Sequence, residues 1–116
     1  MVRSKYVPER GDIIWINFSP HSGHEQGGRR PAIVLSPYNY NFQSKLALVC
    51  PVTSQEKGYP FEVKIPIGFK VKGVILADHI KSVDWDSRDS ELIFKIPESI
   101  IEKVEKKFLT IIKKAV

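Results

Sequence analysis

Between Phe18 and Ser36 the chain gathers two histidines, a carboxylate and two adjacent arginines, in the order Phe-Ser-Pro-His-Ser-Gly-His-Glu-Gln-Gly-Gly-Arg-Arg-Pro-Ala-Ile-Val-Leu-Ser. Arg30 precedes Pro31, whose ring fixes its own φ and biases the preceding residue toward extended geometry. Gly23, Gly27 and Gly28 let the approaching backbone turn through positive φ. A cation on a stiff strand entrance, behind a loop that can turn tightly, suits a phosphate. The guanidinium fork matches phosphate oxygens and stays charged. Metal-free cleavage of RNA asks for little more, because the 2′-OH attacks its own phosphate. The protein must help remove that proton, supply one to the 5′-oxygen and stabilise the phosphorane. Glu25 could orient the arginine or act on the proton. The same two side chains also fit a plain surface ion pair worth ~0–1 kcal/mol.

Other chemistries find less support. His21 and His24 make a His-x-x-His spacing with no cysteine pair beside it, whereas a zinc site wants three or four ligands. No metal is expected. There is no P-loop, no dinucleotide-binding glycine pattern and no nucleophile elbow, so no cofactor is expected either.

The balance of 18 Lys and Arg against 13 Asp and Glu gives a formal charge of +5 and a pI of about 9.4. That favours polyanionic partners, RNA or DNA first, although solubility alone can explain a basic surface. Cys50 is the one cysteine, so no intrachain disulfide can form, which fits a reducing compartment. No apolar run reaches the ~18 residues a membrane-spanning helix needs, and the N-terminus lacks an apolar signal core. A cytoplasmic protein with no membrane partner is expected.

The elements that must carry these residues follow from periodicity. Met1 to Arg10 reads as a flexible lead-in. Asp12 to Phe18 alternates as a strand, the long loop follows, and Arg30 to Ser36 is a second strand. A connection of ~2–5 residues would suffice for a hairpin, so the length of this loop itself suggests function. Pro37 to Ser44 is a turn or one short helix with Ser36 as its cap. Leu46 to Thr53 is a third, continuously apolar strand, then a polar loop over Ser54 to Pro60. Phe61–Ile65, Gly73–Ala77, Ile80–Val83 and Leu92–Ile96 read as short strands, with Asp78-His79 interrupting the middle pair. At the C-terminus Ile100, Ile101, Val104, Phe108, Ile111 and Ile112 recur at helical spacing. Pro97 sits near the start, glutamates fall early, and Lys113 and Lys114 fall late, as the helix dipole favours. The sum is a single domain over residues 1–116, α+β but mainly β: a small antiparallel barrel with a C-terminal helix.

Several blocks of sequence resemble the MazF toxins of toxin–antitoxin modules. They are Tyr6-Val7-Pro8, Gly11 to Trp15, and Gly23 to Ser36 with Glu25-Gln26 and Arg30-Pro31-Ala32. Further matches are Ser36-Pro37 with Tyr40-Asn41, Lys57 to Val63, Leu76-Ala77-Asp78 and Lys81-Ser82. The likeness spans roughly Tyr6 to Trp85; the last thirty residues match only in kind. It implies an SH3-like antiparallel barrel of the MazF/CcdB type, working as a homodimer. It also implies a sequence-specific, metal-independent endoribonuclease that cuts single-stranded RNA to 2′,3′-cyclic phosphate and 5′-hydroxyl ends. A cognate MazE-like antitoxin with an acidic C-terminal tail would block the site.

Residue by residue, the family's arginine and threonine pair falls on Arg30 and Thr53, and its loop glutamate on Glu25. The implied roles are phosphorane charge and proton transfer for Arg30, phosphate hydrogen bonding for Thr53, and orientation or base work for Glu25. An arginine pKa above ~12 makes the proton role the weaker part. Gln26, Arg29, Asn39, Asn41, Gln55, Lys57 and Tyr59 are the candidate RNA contacts. Gly28-Arg29 departs from the more familiar Gly-His, which bears on the recognised sequence and not on the reaction. Two other readings stay open. One is a non-catalytic RNA-binding barrel. The other is a gyrase-targeting poison like CcdB, although this chain ends Lys-Lys-Ala-Val in place of a Trp-Gly-Ile tail.

Overall fold

The computed structural model describes residues 6–20 and 22–113. Its strands are β1 (Asp12–Asn17), β2 (Arg29–Val34), β3 (Leu46–Thr53), β4 (Glu62–Lys64), β5 (Val74–Leu76), β6 (Lys81–Asp84) and β7 (Glu91–Lys95). Helix α1 (Tyr38–Ser44) links β2 to β3, and α2 (Glu98–Ile112) follows β7. Among the described residues the strands pair antiparallel, in the order β4-β5-β3-β2-β1-β7, with β6 also on β3. The central strand β3 therefore bends from one set of partners (β2, β6) to another (β5), and the sheet curls into a barrel-like shell. Each expected strand is present, most of them shifted or shortened by a residue or two.

Apolar residues fill both faces of this sheet. Ile13, Ile33, Cys50, Val52 and Ile75 pack with Ile101 and Val104 of α2 on one face. Ile14, Ile16, Ala32, Val34 and Val49 pack with Phe18 and Trp85 on the other. Burial on both faces explains why β2 and β3 read as unbroken apolar runs instead of alternating. The stripe of α2 is buried only at Ile100, Ile101 and Val104; Ile111 and Ile112 are 46% and 60% exposed. Glu98 occupies the first turn as expected, but no basic residue lies in the last turn. Lys113 forms the C-cap, and Lys114 lies outside the described residues. No helix among the described residues is long and apolar enough to cross a membrane.

Two expectations need correction. The segment from Tyr6 to Arg10 is docked rather than loose. The Tyr6 hydroxyl donates to the Asp12 carboxylate, and Asp12 also accepts from Glu9 N at 3.0 Å and pairs with Lys95 Nζ at 3.0 Å. Arg10 reaches across to α2, with 2.6 Å bonds to both Glu98 and Glu105. Ser36 does not cap α1. Pro37 holds the cap position without a side-chain bond, and the Ser36 hydroxyl donates to Asn41 Oδ1 at 2.5 Å while accepting from Leu48 N at 2.9 Å.

Candidate functional site

The ladder between β2 and β3 reaches Ala32↔Pro51. Two residues further along each strand stand Arg30 and Thr53. Alternation places both on the face of Ala32 and Pro51, at neighbouring strand ends. Arg30 is half-buried, and its Nε donates to Gly27 O at 3.0 Å, leaving the rest of the fork for a ligand. Thr53 is half-buried too; its Oγ1 accepts from Gln55 N at 3.1 Å, which leaves the hydroxyl proton for another acceptor. Gly73 fixes the height of this strand end. Its φ is +123°, and a Cβ there would lie 2.2 Å from the Thr53 carbonyl oxygen, so only glycine fits.

Beside Thr53 opens a cavity of about 230 Å3 lined by His24, Gln26, Thr53, Gln55, Lys57, Tyr59, Glu62, Leu76, Asp78 and His79. A second, of about 350 Å3, shares His24, Gln26, Asp78 and His79 with it and adds Phe18, Glu25, Pro51, Ile80 and Lys81. Together they form one groove. The β1–β2 loop is its first wall, closed at the base by Phe18 N donating to Gly28 O and Gly28 N donating to Ser19 Oγ, both at 2.9 Å. The β3–β4 loop is the opposite wall, where Glu62 accepts from Lys57 N at 3.1 Å and Gly58 N at 3.0 Å. A third cavity, of about 410 Å3, lies past the strand ends and is lined by Trp15, Arg29, Arg30, Pro31, Val52, Ser54, Lys70, Val71 and Lys72.

The groove thus unites Glu25, Gln26, Thr53, Gln55, Lys57 and Tyr59; Arg30 lines the third cavity and neither of the two that form the groove. Glu25 makes no hydrogen bond or ion pair with the arginine: its carboxylate accepts from Ser22 N at 2.9 Å, folded onto its own turn. Arg29 is engaged elsewhere. Its guanidinium donates to Asp89 O at 2.8 Å and Glu91 Oε2 at 2.9 Å, and lies 5.7 Å from the Trp15 ring centroid. Asn39 is exposed on α1 and lines none of the three cavities. Asn41 is the clear correction. It is fully buried, donates to Pro8 O at 2.8 Å and Ser36 O at 2.9 Å, and its carbonyl accepts from Trp85 Nε1 at 2.9 Å. It ties α1 to the N-terminal arm, and its side chain does not reach the surface where RNA would lie.

Asp78 and His79 of the β5–β6 turn and Lys81 at the start of β6 also line the groove, although none of the three was a candidate contact. His79 Nε2 lies 3.9 Å from Asp78 Oδ1. Two signals were present: the polar pair interrupting an apolar run, and the family-like blocks at Leu76-Ala77-Asp78 and Lys81-Ser82. Among the described residues no three His, Cys, Asp or Glu side chains converge in a way that could hold a metal ion. His24 lines the groove, and His21 lies outside the described residues. Behind the site, burial pushes the Cys50 thiol up to about 12, so it stays a neutral packing group.

Residues 9–112 match the family model described as PemK-like, MazF-like toxin of type II toxin–antitoxin system. The chain is 52% identical over 85 residues to the endoribonuclease toxin MazF of Escherichia coli K12, covering 73% of this chain and 76% of that one. The crystal structure of MazF from Deinococcus radiodurans superposes with a TM-score of 0.90 at 50% identity, covering 92% of this chain and 97% of that one. A structure of the Deinococcus MazE–MazF complex contains a chain that matches at TM-score 0.84 and 43% identity, covering 96% and 100%. This chain therefore belongs to the PemK-like, MazF-like family of type II toxin–antitoxin toxins.

Proposed function

We propose that this chain is an endoribonuclease toxin that cuts single-stranded RNA at a short sequence, without a metal, leaving 2′,3′-cyclic phosphate and 5′-hydroxyl ends. The observation that carries the reading is the pairing of Arg30 and Thr53 on one face of two adjacent strand ends, beside a groove lined by amides, a lysine and an exposed tyrosine. A phosphate set against those ends would receive the free arms of the Arg30 fork and the Thr53 proton. Both contacts strengthen as the phosphorane gathers charge, which is where catalysis is gained. Glu25 would leave Ser22 to take the 2′-OH proton as the 2′-oxygen bonds to phosphorus, and Arg30 would pass a proton to the 5′-oxygen as its bond to phosphorus breaks. Gln26, Gln55 and Lys57 would meet base edges and backbone, and Tyr59, 60% exposed, would stack on an unpaired base.

The toxin would work in the cytoplasm as a homodimer, held in check by a MazE-like antitoxin whose acidic tail competes for the groove. The Deinococcus relative solved in a MazE–MazF complex supports that partner class. Incubation of the protein with a labelled single-stranded RNA in EDTA, followed by mapping of the new ends, tests the reading. Cyclic phosphate at few positions is expected. Binding without cleavage would instead establish a non-catalytic RNA-binding barrel.

A further inference from the structure

Beyond the strand ends, one large aromatic side chain stays exposed in an otherwise buried stretch of sheet. Trp15 is 37% exposed, and its neighbours in β1, Ile14 and Ile16, are fully buried. Its β2 partner is Pro31. Arg29 lies over the ring at 5.7 Å and is itself held in place by Asp89 and Glu91. Across the same cavity, of about 410 Å3, stand Lys70 and Lys72 of the β4–β5 connection. Both lysines are exposed, and neither has a carboxylate partner among the described residues. Arg30 and Ser54 belong to this cavity's lining, and Thr53 adjoins Ser54 in the first groove, so the two regions meet at the site of the proposed chemistry.

We infer that Trp15, Lys70 and Lys72 form a second subsite that holds the single-stranded RNA beyond the phosphate set at Arg30 and Thr53. A rigid ring offers a stacking platform for any base, and the two lysines offer charge to the flanking phosphates. Arg29 serves here as a fixed plane that orients the ring, its charge being met by Glu91. The inference rests on the ribonuclease reading only in taking single-stranded RNA as the ligand. An acidic peptide would use the lysines but gain little from an exposed indole, so the aromatic residue favours nucleic acid.

The test is binding of a mixed-sequence 2′-fluoro single-stranded RNA, which cannot be cut, measured across a range of salt. The double variant Lys70→Gln/Lys72→Gln should bind more weakly, with a salt slope shallower by about 1.4 for two lost phosphate contacts. Trp15→Ala should weaken binding about tenfold, while Trp15→Phe, which keeps a ring and guards against a folding artefact, should retain most of it. Unchanged affinity and slope in the lysine variant would overturn the subsite. So would loss of poly-Glu binding in that variant with RNA binding intact, which would assign the patch to an acidic protein partner. If the lysine variant shows the slope change but the wild type cuts no RNA in EDTA, the ribonuclease reading falls and the subsite stands. Cleavage with no slope change is the reverse case.

Discussion

Replacing Gly73 by alanine perturbs the site without touching any side chain in it. The cost has two parts. A φ of +123° is strained for any residue with a Cβ, at roughly 1–3 kcal/mol. In addition the new Cβ would stand 2.2 Å from the Thr53 carbonyl oxygen and 2.9 Å from its carbon, well inside a normal contact of about 3.5 Å. Backbone must move to relieve this, at a further ~1–3 kcal/mol for an overpacked site. The expected total is about 2–6 kcal/mol, or a Tm lower by roughly 8–25 °C for a domain of this size. Gly58→Ala is the matched control. Its φ is +79° but nothing lies within 4 Å of the added Cβ, so it should lose only the strain term. Thermal and urea unfolding of the two variants measure the difference. Single-turnover RNA cleavage of Gly73→Ala, in conditions where it remains folded, should also fall, because the residue pushed aside is Thr53. If the two alanine variants fall within about 1 kcal/mol of each other, the contact with Thr53 is not what requires glycine at Gly73, and the reasoning fails.

Arg30→Ala should lower single-turnover cleavage by ~10²-fold or more with an unchanged circular dichroism spectrum, and Arg30→Lys should recover little because an ammonium lacks the fork; activity within threefold of wild type would remove Arg30 from the chemistry. Thr53→Val, close in shape but without the hydroxyl, should reduce the rate at saturating RNA far more than the affinity; the opposite split would make Thr53 a binding residue. Asn41→Ala should cost about 3 kcal/mol in urea unfolding, since it leaves Ser36 and Pro8 groups without their buried partner, while RNA affinity of the folded variant stays within threefold. Burial holds the Cys50 thiol at about 12, above its unfolded value, so its contribution is complete below pH ~8.5 and is lost as pH rises toward the folded value. Urea midpoints should therefore decline through that alkaline window, with the Tyr6 phenol, also raised by burial and by Asp12, acting in the same direction; a Cys50→Ala variant with the same alkaline decline would assign it to Tyr6 alone.

The barrel strands were legible because their information is local. The apolar runs at Ala32–Leu35 and Leu46–Val52 announce burial on two faces, and the helical repeat of α2 announces its packed stripe. What escaped was set by partners distant in sequence. Arg29 reads as a free cation until Glu91 is brought beside it, and Tyr6–Arg10 reads as a loose lead until Asp12 and the α2 glutamates fasten it. Asn41 looks like any helix-surface amide, because periodicity carries no mark for a buried polar hub. The site divides the same way. Arg30 and Glu25 stood out from the loop that carries them and Thr53 from a family likeness, whereas Asp78 and His79 enter the groove only through the turn between β5 and β6.

The loops around the site carry their own anions. The Glu62 carboxylate occupies the cradle of backbone N–H groups at Lys57 and Gly58, Glu25 occupies that of Ser22, and Asp89 and Glu91 hold Arg29. A polyanion does not meet vacant positive charge at these positions; it meets charge already answered. Docking there is an exchange, in which each incoming phosphate or carboxylate displaces a resident one and the net Coulombic gain per position is small. An occasional contact from a loosely held polyanion cannot drive that exchange. A strand that presents several anions at matching intervals can, because the displacements then occur together. The formal charge of +5 thus overstates the positive charge open to a passing polyanion, and on the proposed reading a bound strand would be selected in part by the spacing of its anions.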